Sequence, residues 1–236
     1  MLQAALNGPL RRADHPALPV SADELARDAA ACVAAGAGAI HLHPRDGDGG
    51  ESLVPEVVNA VVDAVHNACG VPVGVSTGAW IEPSLARRLE LLSSWRAPDF
   101  ASVNVSEAGY EEVMRALLDA GVGIEAGVWS VGDAERLAAS GLGDRVLRIL
   151  VEPVDLVADG AVAAIDEIHA ALDRLGLSTP RLQHGDGEAT WILVEDAARR
   201  GLDTRVGLED TLHDPDGTRT TGNESLIRAA VALGAG

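Results

Sequence analysis

The chain has 236 residues, of which 47% are hydrophobic and 23% charged, a balance typical of a globular protein with a large core. Its 36 acidic and 18 basic residues give a formal net charge of −18, which would repel phosphate backbones and anionic lipids and argues against nucleic-acid and membrane partners. All the basic residues are arginine, and the absence of lysine excludes Schiff-base chemistry of the class I aldolase type.

The distribution of apolar residues and cysteines indicates the compartment. No run approaches the roughly 18 consecutive apolar residues of a membrane span, and the N-terminus lacks the basic-then-apolar pattern of a signal peptide. Cys32 and Cys69 lie in two helical patterns and form no Cys-x-x-Cys pair, so we expect both to be reduced core residues. The sequence therefore predicts a cytoplasmic protein.

Short β-type runs alternate with longer stretches of helical period, and eight such pairs follow one another. The predicted strands are residues 2–6, 39–43, 72–76, 100–104, 123–127, 146–151, 181–184 and 205–209. The first predicted helix, 21–35, starts with a capping box of Ser21 and Glu24 and stops at Gly36. This alternation is typical of a parallel sheet with crossover helices.

Eight βα units without a leftover segment favour one closed (β/α)8 TIM barrel, forming a single α/β domain over 1–236. An open doubly wound sheet is the structural alternative. A nucleotide-binding motif would support this alternative, but no G-x-G-x-x-G follows the first strand and no Walker A motif occurs.

The second predicted strand ends in His41-Leu42-His43, and residues two apart on a strand point the same way. Both imidazoles would enter the catalytic end of the barrel, an arrangement suited to Zn2+ or a similar ion that also takes a carboxylate. Glu209, at the end of predicted strand 8, is the best third ligand, because only strand 1 separates it from strand 2. Taken alone, a His-x-His pair is often a surface or core pair.

Arg205 affects how the acidic pair at the end of strand 8 is interpreted. Glu209 and Asp210 alone could be an acidic helix N-terminus, stabilised by the helix dipole. Arg205 lies four residues before Glu209 and should face inward on the same side, where a buried guanidinium needs an anion. A substrate carboxylate or an acid of the site would satisfy it.

Other polar residues lie at predicted strand ends and are candidates for the site. They are Asn7, Ser76, Thr77, Asn104, Glu125 and His184, the last followed by Gly185. Asn104 and Glu125 interrupt apolar strands, where a polar side chain needs a partner. The glycine turn after His184 suggests close approach of the backbone to a ligand, although His184 could also be a satisfied core histidine. The tryptophans are interpreted as packing residues.

With these residues assembled, the chain resembles the β-keto acid cleavage enzymes, whose founding activity is 3-keto-5-aminohexanoate cleavage. The similarity runs along nearly the whole chain. It rests on Leu6-Asn7-Gly8, the segments 15–20 and 35–46, Ser76-Thr77-Gly78, Ala101-Ser102-Val103-Asn104, His184-Gly185 and the segment 205–211.

The resemblance implies a zinc TIM barrel whose metal ligands are His41, His43 and Glu209. It implies that a β-keto acid and acetyl-CoA, as co-substrate, yield acetoacetate and a new acyl-CoA in a reversible Claisen-type reaction. Asp210 would be the general base, and Arg205 would orient it.

The resemblance extends to the substrate pocket and the assembly. Ser76 or Thr77 would bind the substrate carboxylate or keto group, and Glu125 would line the pocket. Barrels of this family commonly associate, so a homo-oligomer is expected.

The sequence departs from the family at two points. Pro9-Leu10-Arg11 follows Asn7-Gly8 where the founding enzyme has an acidic residue that reads the substrate amine, which disfavours a cationic substrate. The chain is also short for the family, and the missing length would come from parts that shape the substrate and CoA pockets.

Two other functions fit a barrel with these residues. A metal-dependent hydrolase also uses a His-x-His pair, although it usually places the pair on strand 1 and often bridges two metals with a carboxylated lysine. A barrel that has lost activity and binds a small acid as a sensor would be expected to lose its polar strand ends, which are intact here.

Overall fold

The computed structural model describes residues 1–154 and 157–236. Eight parallel strands form a closed barrel in chain order, with β8 paired to β1, so the predicted (β/α)8 fold is confirmed. The strands are β1 Leu2–Ala5, β2 Ala39–Leu42, β3 Val73–Ser76, β4 Phe100–Asn104, β5 Gly123–Val128, β6 Arg148–Val151, β7 Arg181–Gln183 and β8 Asp203–Val206.

A helix follows each strand and covers the outside of the barrel. The helices are α1 Ala22–Ala35, α2 Pro55–Cys69, α3 Leu85–Leu92, α4 Tyr110–Ala120, α5 Val131–Ser140, α6 Ala158–Arg174, α7 Thr190–Arg200 and α8 Asn223–Ala232. The predicted capping box of α1 is present. The Ser21 hydroxyl accepts from the Glu24 backbone nitrogen, and the Glu24 carboxylate accepts from the Ser21 backbone nitrogen. In the described part of the chain, no helix combines the length and apolar character needed to cross a membrane.

The last strand differs most from its prediction. It covers Asp203–Val206, not 205–209, because the backbone turns at Gly207, whose carbonyl accepts from the backbone nitrogens of Asp210 and Thr211. The run Arg205 to Glu209 is therefore not one continuous strand, and Glu209 and Asp210 lie on the turn that follows it. Strand alternation was the wrong reason to expect Arg205 and Glu209 on one side.

Five other strands were predicted too long, β6 by two residues and β1, β2, β3 and β7 by one residue each. Strand 6 begins at Arg148 and not at 146, because Gly143–Arg145 forms a short 3-10 turn before it. His43 lies one residue beyond the last paired residue of β2. Both cysteines are free; Cys32 is fully buried as expected, whereas Cys69 is only half-buried.

The barrel interior contains a buried charged cluster below the catalytic end. Glu125 on β5 accepts a 2.8 Å hydrogen bond from Gln3 Nε2 and lies 3.1 Å from Arg148 Nε on β6. Glu125 and Gln3 are completely buried. Burial raises the pKa of Glu125, while Arg148 and Gln3 act in the opposite direction. Glu125 is thus paired through one oxygen inside the barrel, and its Oε2 atom has no hydrogen-bond partner among the described residues. This position differs from its expected place in the substrate pocket.

Candidate metal centre

Three side chains meet at the carboxyl end of the barrel. The Nε2 atom of His41 lies 3.7 Å from Glu209 Oε2, and the Nε2 atom of His43 lies 3.6 Å from Glu209 Oε1. One ligand atom from each residue lies within 4.8 Å of the other two. Both histidines are almost fully buried. The structure therefore brings together the three residues that the sequence predicted as metal ligands.

The backbone of the β1–α1 loop makes room for Glu209. Gly8 has a φ of 52°, and a Cβ atom there would lie 2.6 Å from Cγ of Glu209. A side chain at Gly8 would displace the carboxylate as well as strain the backbone. The Asn7-Gly8 sequence is thus explained by the position of Glu209.

Asn7 supports the same end of β2 and does not line the cavity. Its Oδ1 accepts from the His43 backbone nitrogen at 2.8 Å, and its Nδ2 donates to the carbonyls of His43 and Pro19. These bonds use both N–H donors of the side-chain amide and one lone pair of its oxygen. Asn7 therefore positions His43, and its contact with substrate stays a prediction.

A carboxylate missed in the sequence orients the ring of His43. Glu51, in the β2–α2 loop, places its Oε1 atom 2.5 Å from His43 Nδ1. A carboxylate on Nδ1 fixes the tautomer that leaves the Nε2 lone pair for a metal, a common arrangement around zinc. No periodic pattern marks Glu51, because it lies in an irregular loop rich in Gly and Asp.

Burial and the neighbouring charges determine the protonation of the three residues. Burial is the largest effect on His41 and lowers its pKa to about 3, so its imidazole is neutral. Burial acts to lower the pKa of His43, but Glu209 and Glu51 raise it to about 9. Burial opposes ionisation of Glu209, yet Arg205, His41 and His43 hold its pKa well below the usual value. Glu209 is therefore a carboxylate that faces one neutral imidazole, His41, and one imidazolium, His43, whose Nε2 proton a bound metal would displace.

Two buried atoms at the centre lack hydrogen-bond partners among the described residues, namely His41 Nδ1 and Glu209 Oε2. An unpartnered buried carboxylate oxygen is costly unless a ligand satisfies it. Two imidazole nitrogens and one carboxylate oxygen are also a donor set that Zn2+ and similar ions take, with one position left open. These residues fit a bound divalent metal.

Arg205 connects the ligand set to Asp210. Its Nη2 atom donates to Asp210 Oδ1 at 2.7 Å and to Glu209 Oε1 at 3.0 Å. Burial is the largest effect on Asp210 and raises its pKa to about 6, although Arg205 favours the charged form. The second oxygen of Asp210, Oδ2, has no hydrogen-bond partner within the described residues. Arg205 therefore holds one oxygen of the Asp210 carboxyl group, and the other oxygen has no partner among the described residues.

His184 and Glu152 complete the buried polar network. His184 Nε2 lies 3.3 Å from Glu152 Oε2, and its Nδ1 lies 3.9 Å from Asp210 Oδ1. His184 is fully buried and does not line the central cavity, so it contacts the acids of the site, where substrate contact was expected. Glu152 was missed, although it directly follows β6 and strand ends were the place to look.

The central cavity has a volume of about 130 Å³. Its lining consists of Pro9, His41, His43, Ser76, Trp80, Ser102, Asn104, Trp129, Leu150, Glu152, Arg205 and Glu209. Ser76 and Asn104 thus occupy the positions expected of substrate-binding residues. Thr77 does not, because its hydroxyl donates to the Ser102 carbonyl on the neighbouring strand.

Gly185 packs closely against α7, and its contact with a ligand stays a prediction. A Cβ atom at Gly185 would lie 2.6 Å from Cδ1 of Leu193 on α7. Close packing against that helix explains the glycine.

The tryptophans divide between core and cavity. Trp95 is buried and donates to the Leu53 carbonyl, as expected of a packing residue. Trp80 is half exposed, stacks on His43 with a ring-centroid distance of 6.3 Å, and donates from Nε1 to Glu51. Trp129 also lines the cavity. The interpretation of all four tryptophans as packing residues was therefore wrong for Trp80 and Trp129.

Three known structures are similar to this chain in fold. ObcA in a binary complex with oxaloacetate matches with a TM-score of 0.71 and 19% identity, over 93% of this chain and 65% of that chain. ObcA in a ternary complex with a C4-CoA adduct and oxalate matches with a TM-score of 0.72 and 19% identity, over 92% and 63%. 3-Dehydroquinate dehydratase from Geobacillus kaustophilus HTA426 matches with a TM-score of 0.66 and 12% identity, over 98% and 90%.

At such identities these similarities support the fold alone, and this chain spans slightly less than two thirds of the ObcA chains. The sequence provides the more specific comparison. The family model of the beta-keto acid cleavage enzymes matches residues 1–235, nearly the whole chain. The chain belongs to the β-keto acid cleavage enzyme family.

Proposed function

We propose that this protein is a zinc-dependent enzyme that converts a β-keto acid and acetyl-CoA to acetoacetate and a new acyl-CoA. One observation carries the proposal: two imidazole nitrogens and the Glu209 carboxylate converge beside the Arg205–Asp210 pair. Family membership supports this reaction, and the ObcA complexes with oxaloacetate, itself a β-keto acid, and with a CoA adduct agree with it.

Binding would place the keto acid between the metal centre and the polar wall of the cavity. His41, His43 and Glu209 would hold the metal, and a bound metal would supply a Lewis acid for the oxygens of the substrate. Ser76 and Asn104 line the same cavity and would bind the substrate's oxygens. Trp80 lies against His43 and would limit the access of water from that side.

Asp210 would act as the general base. Its free Oδ2 accepts a proton from C2 of the keto acid while Arg205 holds Oδ1. The C2 carbon then bonds to the acetyl carbonyl carbon, and the CoA thiolate leaves. The thiolate attacks the keto carbonyl, and the bond between that carbon and C2 breaks. Acyl-CoA is released, and the proton returns to C2 to give acetoacetate.

The test is formation of acetoacetate by zinc-loaded protein from acetyl-CoA and a panel of small β-keto acids. We expect CoA-dependent turnover, and a loss of kcat of roughly 100-fold or more in Asp210→Asn, because a positioned general base contributes that much. Asp173→Asn is the matched control, since its carboxylate is exposed on α6, where it pairs with Arg181. Ester or amide hydrolysis without CoA-dependent turnover would instead support a metal-dependent hydrolase.

A further inference from the structure

Two further cavities lie beside the central one, and they differ in charge. A cavity of about 650 Å³ is formed by the loops after β7 and β8, and five carboxylates line it without any arginine. The second, of about 530 Å³, lies between the β1–α1 and β2–α2 loops. We call it the arginine groove, and its charged lining is Arg11, Arg12, Arg45, Asp48 and Glu51. Two of the five carboxylates are Glu209 and Asp210 of the metal centre. The charges of the second cavity are therefore the more favourable for an anionic group of a ligand.

The arginine groove adjoins the metal centre. Pro9 lines both the central cavity and the groove. Glu51 lines the groove and also contacts His43 Nδ1. The groove therefore lies next to the metal centre, and Pro9 is common to both cavities.

Most charges of the groove already have partners. Arg12 donates to both carboxylate oxygens of Glu24, at 2.9 and 2.7 Å. Glu51 is shared between His43 and Trp80. Arg45 donates to the carbonyls of Gly8 and Leu10 and thereby fixes the loop that carries Arg11.

Arg11 remains. Its side chain is exposed and has no hydrogen bond or ion pair within residues 1–154 and 157–236. Burial lowers the pKa of Arg45, and the positive charge of Arg11 lies close enough to lower it further. Two like charges therefore face this part of the groove. Asp48 is the one other acid of the groove, and it is exposed and forms no salt bridge in the described part of the chain. The groove thus presents a guanidinium available to a ligand.

We infer that the arginine groove binds an anionic group at the far end of the keto acid, with Arg11 as the residue that selects it. The substrate class is then a β-keto dicarboxylic acid, whose first carboxylate and keto group lie at the metal centre and whose second carboxylate lies on Arg11. A guanidinium binds a carboxylate through two parallel N–H donors, which gives geometric selectivity as well as attraction. This inference rests on the proposed function.

The experiment compares two acids of equal chain length on the zinc-loaded protein, namely 3-oxohexanedioate and 3-oxohexanoate, by titration calorimetry and by acetoacetate formation. We expect the dicarboxylic acid to bind roughly tenfold more tightly or better, and Arg11→Gln to remove this preference while 3-oxohexanoate binds as before. Arg115→Gln removes an equally exposed charge on α4 and should keep the preference.

The outcomes separate the two proposals. Equal binding of the two acids to the wild-type protein, or an unchanged preference in Arg11→Gln, would overturn the inference and leave the proposed function standing. Binding of neither acid would overturn the proposed function and the inference with it. CoA phosphate is the other possible anion: a higher KM for acetyl-CoA but not for acetyl-pantetheine in Arg11→Gln, with the acid preference unchanged, would assign the groove to CoA and refute the dicarboxylic acid.

Discussion

His43 lies between two carboxylates, with Glu209 near its Nε2 atom and Glu51 at its Nδ1 atom. Its spacing from His41, together with the strand end, was enough to predict a metal ligand, and the structure places its Nε2 atom toward Glu209. Glu51 could not be predicted in the same way, because an irregular loop brings it to His43 Nδ1 and no periodicity marks that loop. Glu152 was within reach of the strand-end argument. Asn7 and Thr77 show the limit of that argument, since their polar groups serve the backbone.

Removal of Glu51 should weaken metal binding. Without its carboxylate, the Nδ1 atom of His43 loses the partner that fixes the ring, so we expect Glu51→Ala to weaken zinc affinity by roughly 10- to 100-fold. Glu51→Gln keeps one acceptor oxygen and should lose less. The measurement is competition for zinc with a chromophoric chelator. Glu90→Ala removes an exposed acid from α3 and serves as control; equal affinities in all four proteins would refute the role of Glu51.

At the scale of elements, the order of strands and helices followed from sequence, but the end of β8 did not. The run from Arg205 to Glu209 has a strand-like pattern, yet Gly207 starts a turn that carries Glu209 and Asp210 into the mouth of the barrel. Close contact forces the glycine at this position. A Cβ atom on Gly207 would lie 1.8 Å from the Ala5 carbonyl oxygen on β1, and backbone atoms cannot move aside as a side chain can.

Substitution of this glycine should therefore affect the whole fold. We expect Gly207→Ala to destabilise the protein by at least about 3 kcal/mol or to prevent soluble expression, since overpacking against backbone is among the most damaging changes. Gly132→Ala on α5 is the control, because a Cβ there has its nearest neighbour at an ordinary 3.6 Å. Urea unfolding measures both. A Gly207→Ala protein as stable as the wild type would contradict the described contact of β8 with β1.

At the scale of the whole molecule, the alternation of strand and helix patterns was sufficient to predict the barrel, because eight βα units close in chain order. The charged residues inside the barrel were harder to interpret from the sequence. Glu125 looked like a residue of the pocket, whereas it pairs with Arg148 and Gln3 inside the barrel. A sequence shows that a strand contains a polar residue but not how deep in the barrel its partner lies.

Asp28 should make stability depend on pH. Burial is the main cause that raises its pKa to about 6, with the Asn223 hydrogen bond opposing. The folded chain therefore binds a proton that the unfolded chain releases near pH 4, so this contribution to stability is lost as pH rises toward 6 and above.

Replacing Asp28 by asparagine removes this titration. The measured quantity is the free energy of unfolding of Asp28→Asn minus that of the wild type. We expect this difference to be about 1 kcal/mol more favourable to Asp28→Asn at pH 7.5 than at pH 5. Urea unfolding at both pH values provides the measurement, and Asp23→Asn, at an exposed position of the same helix, is the control. The same difference from wild type at both pH values would contradict the raised pKa.

The central claim is that His41, His43 and Glu209 form one metal centre. The most direct measurement is the zinc content of purified, zinc-loaded and desalted protein, together with circular dichroism. We predict one zinc per chain in the wild type and in His66→Ala, whose imidazole pairs with Asp99 outside the site. His41→Ala, His43→Ala and Glu209→Gln should retain almost none while the spectrum stays unchanged. Full zinc content in these three folded variants would contradict the claim.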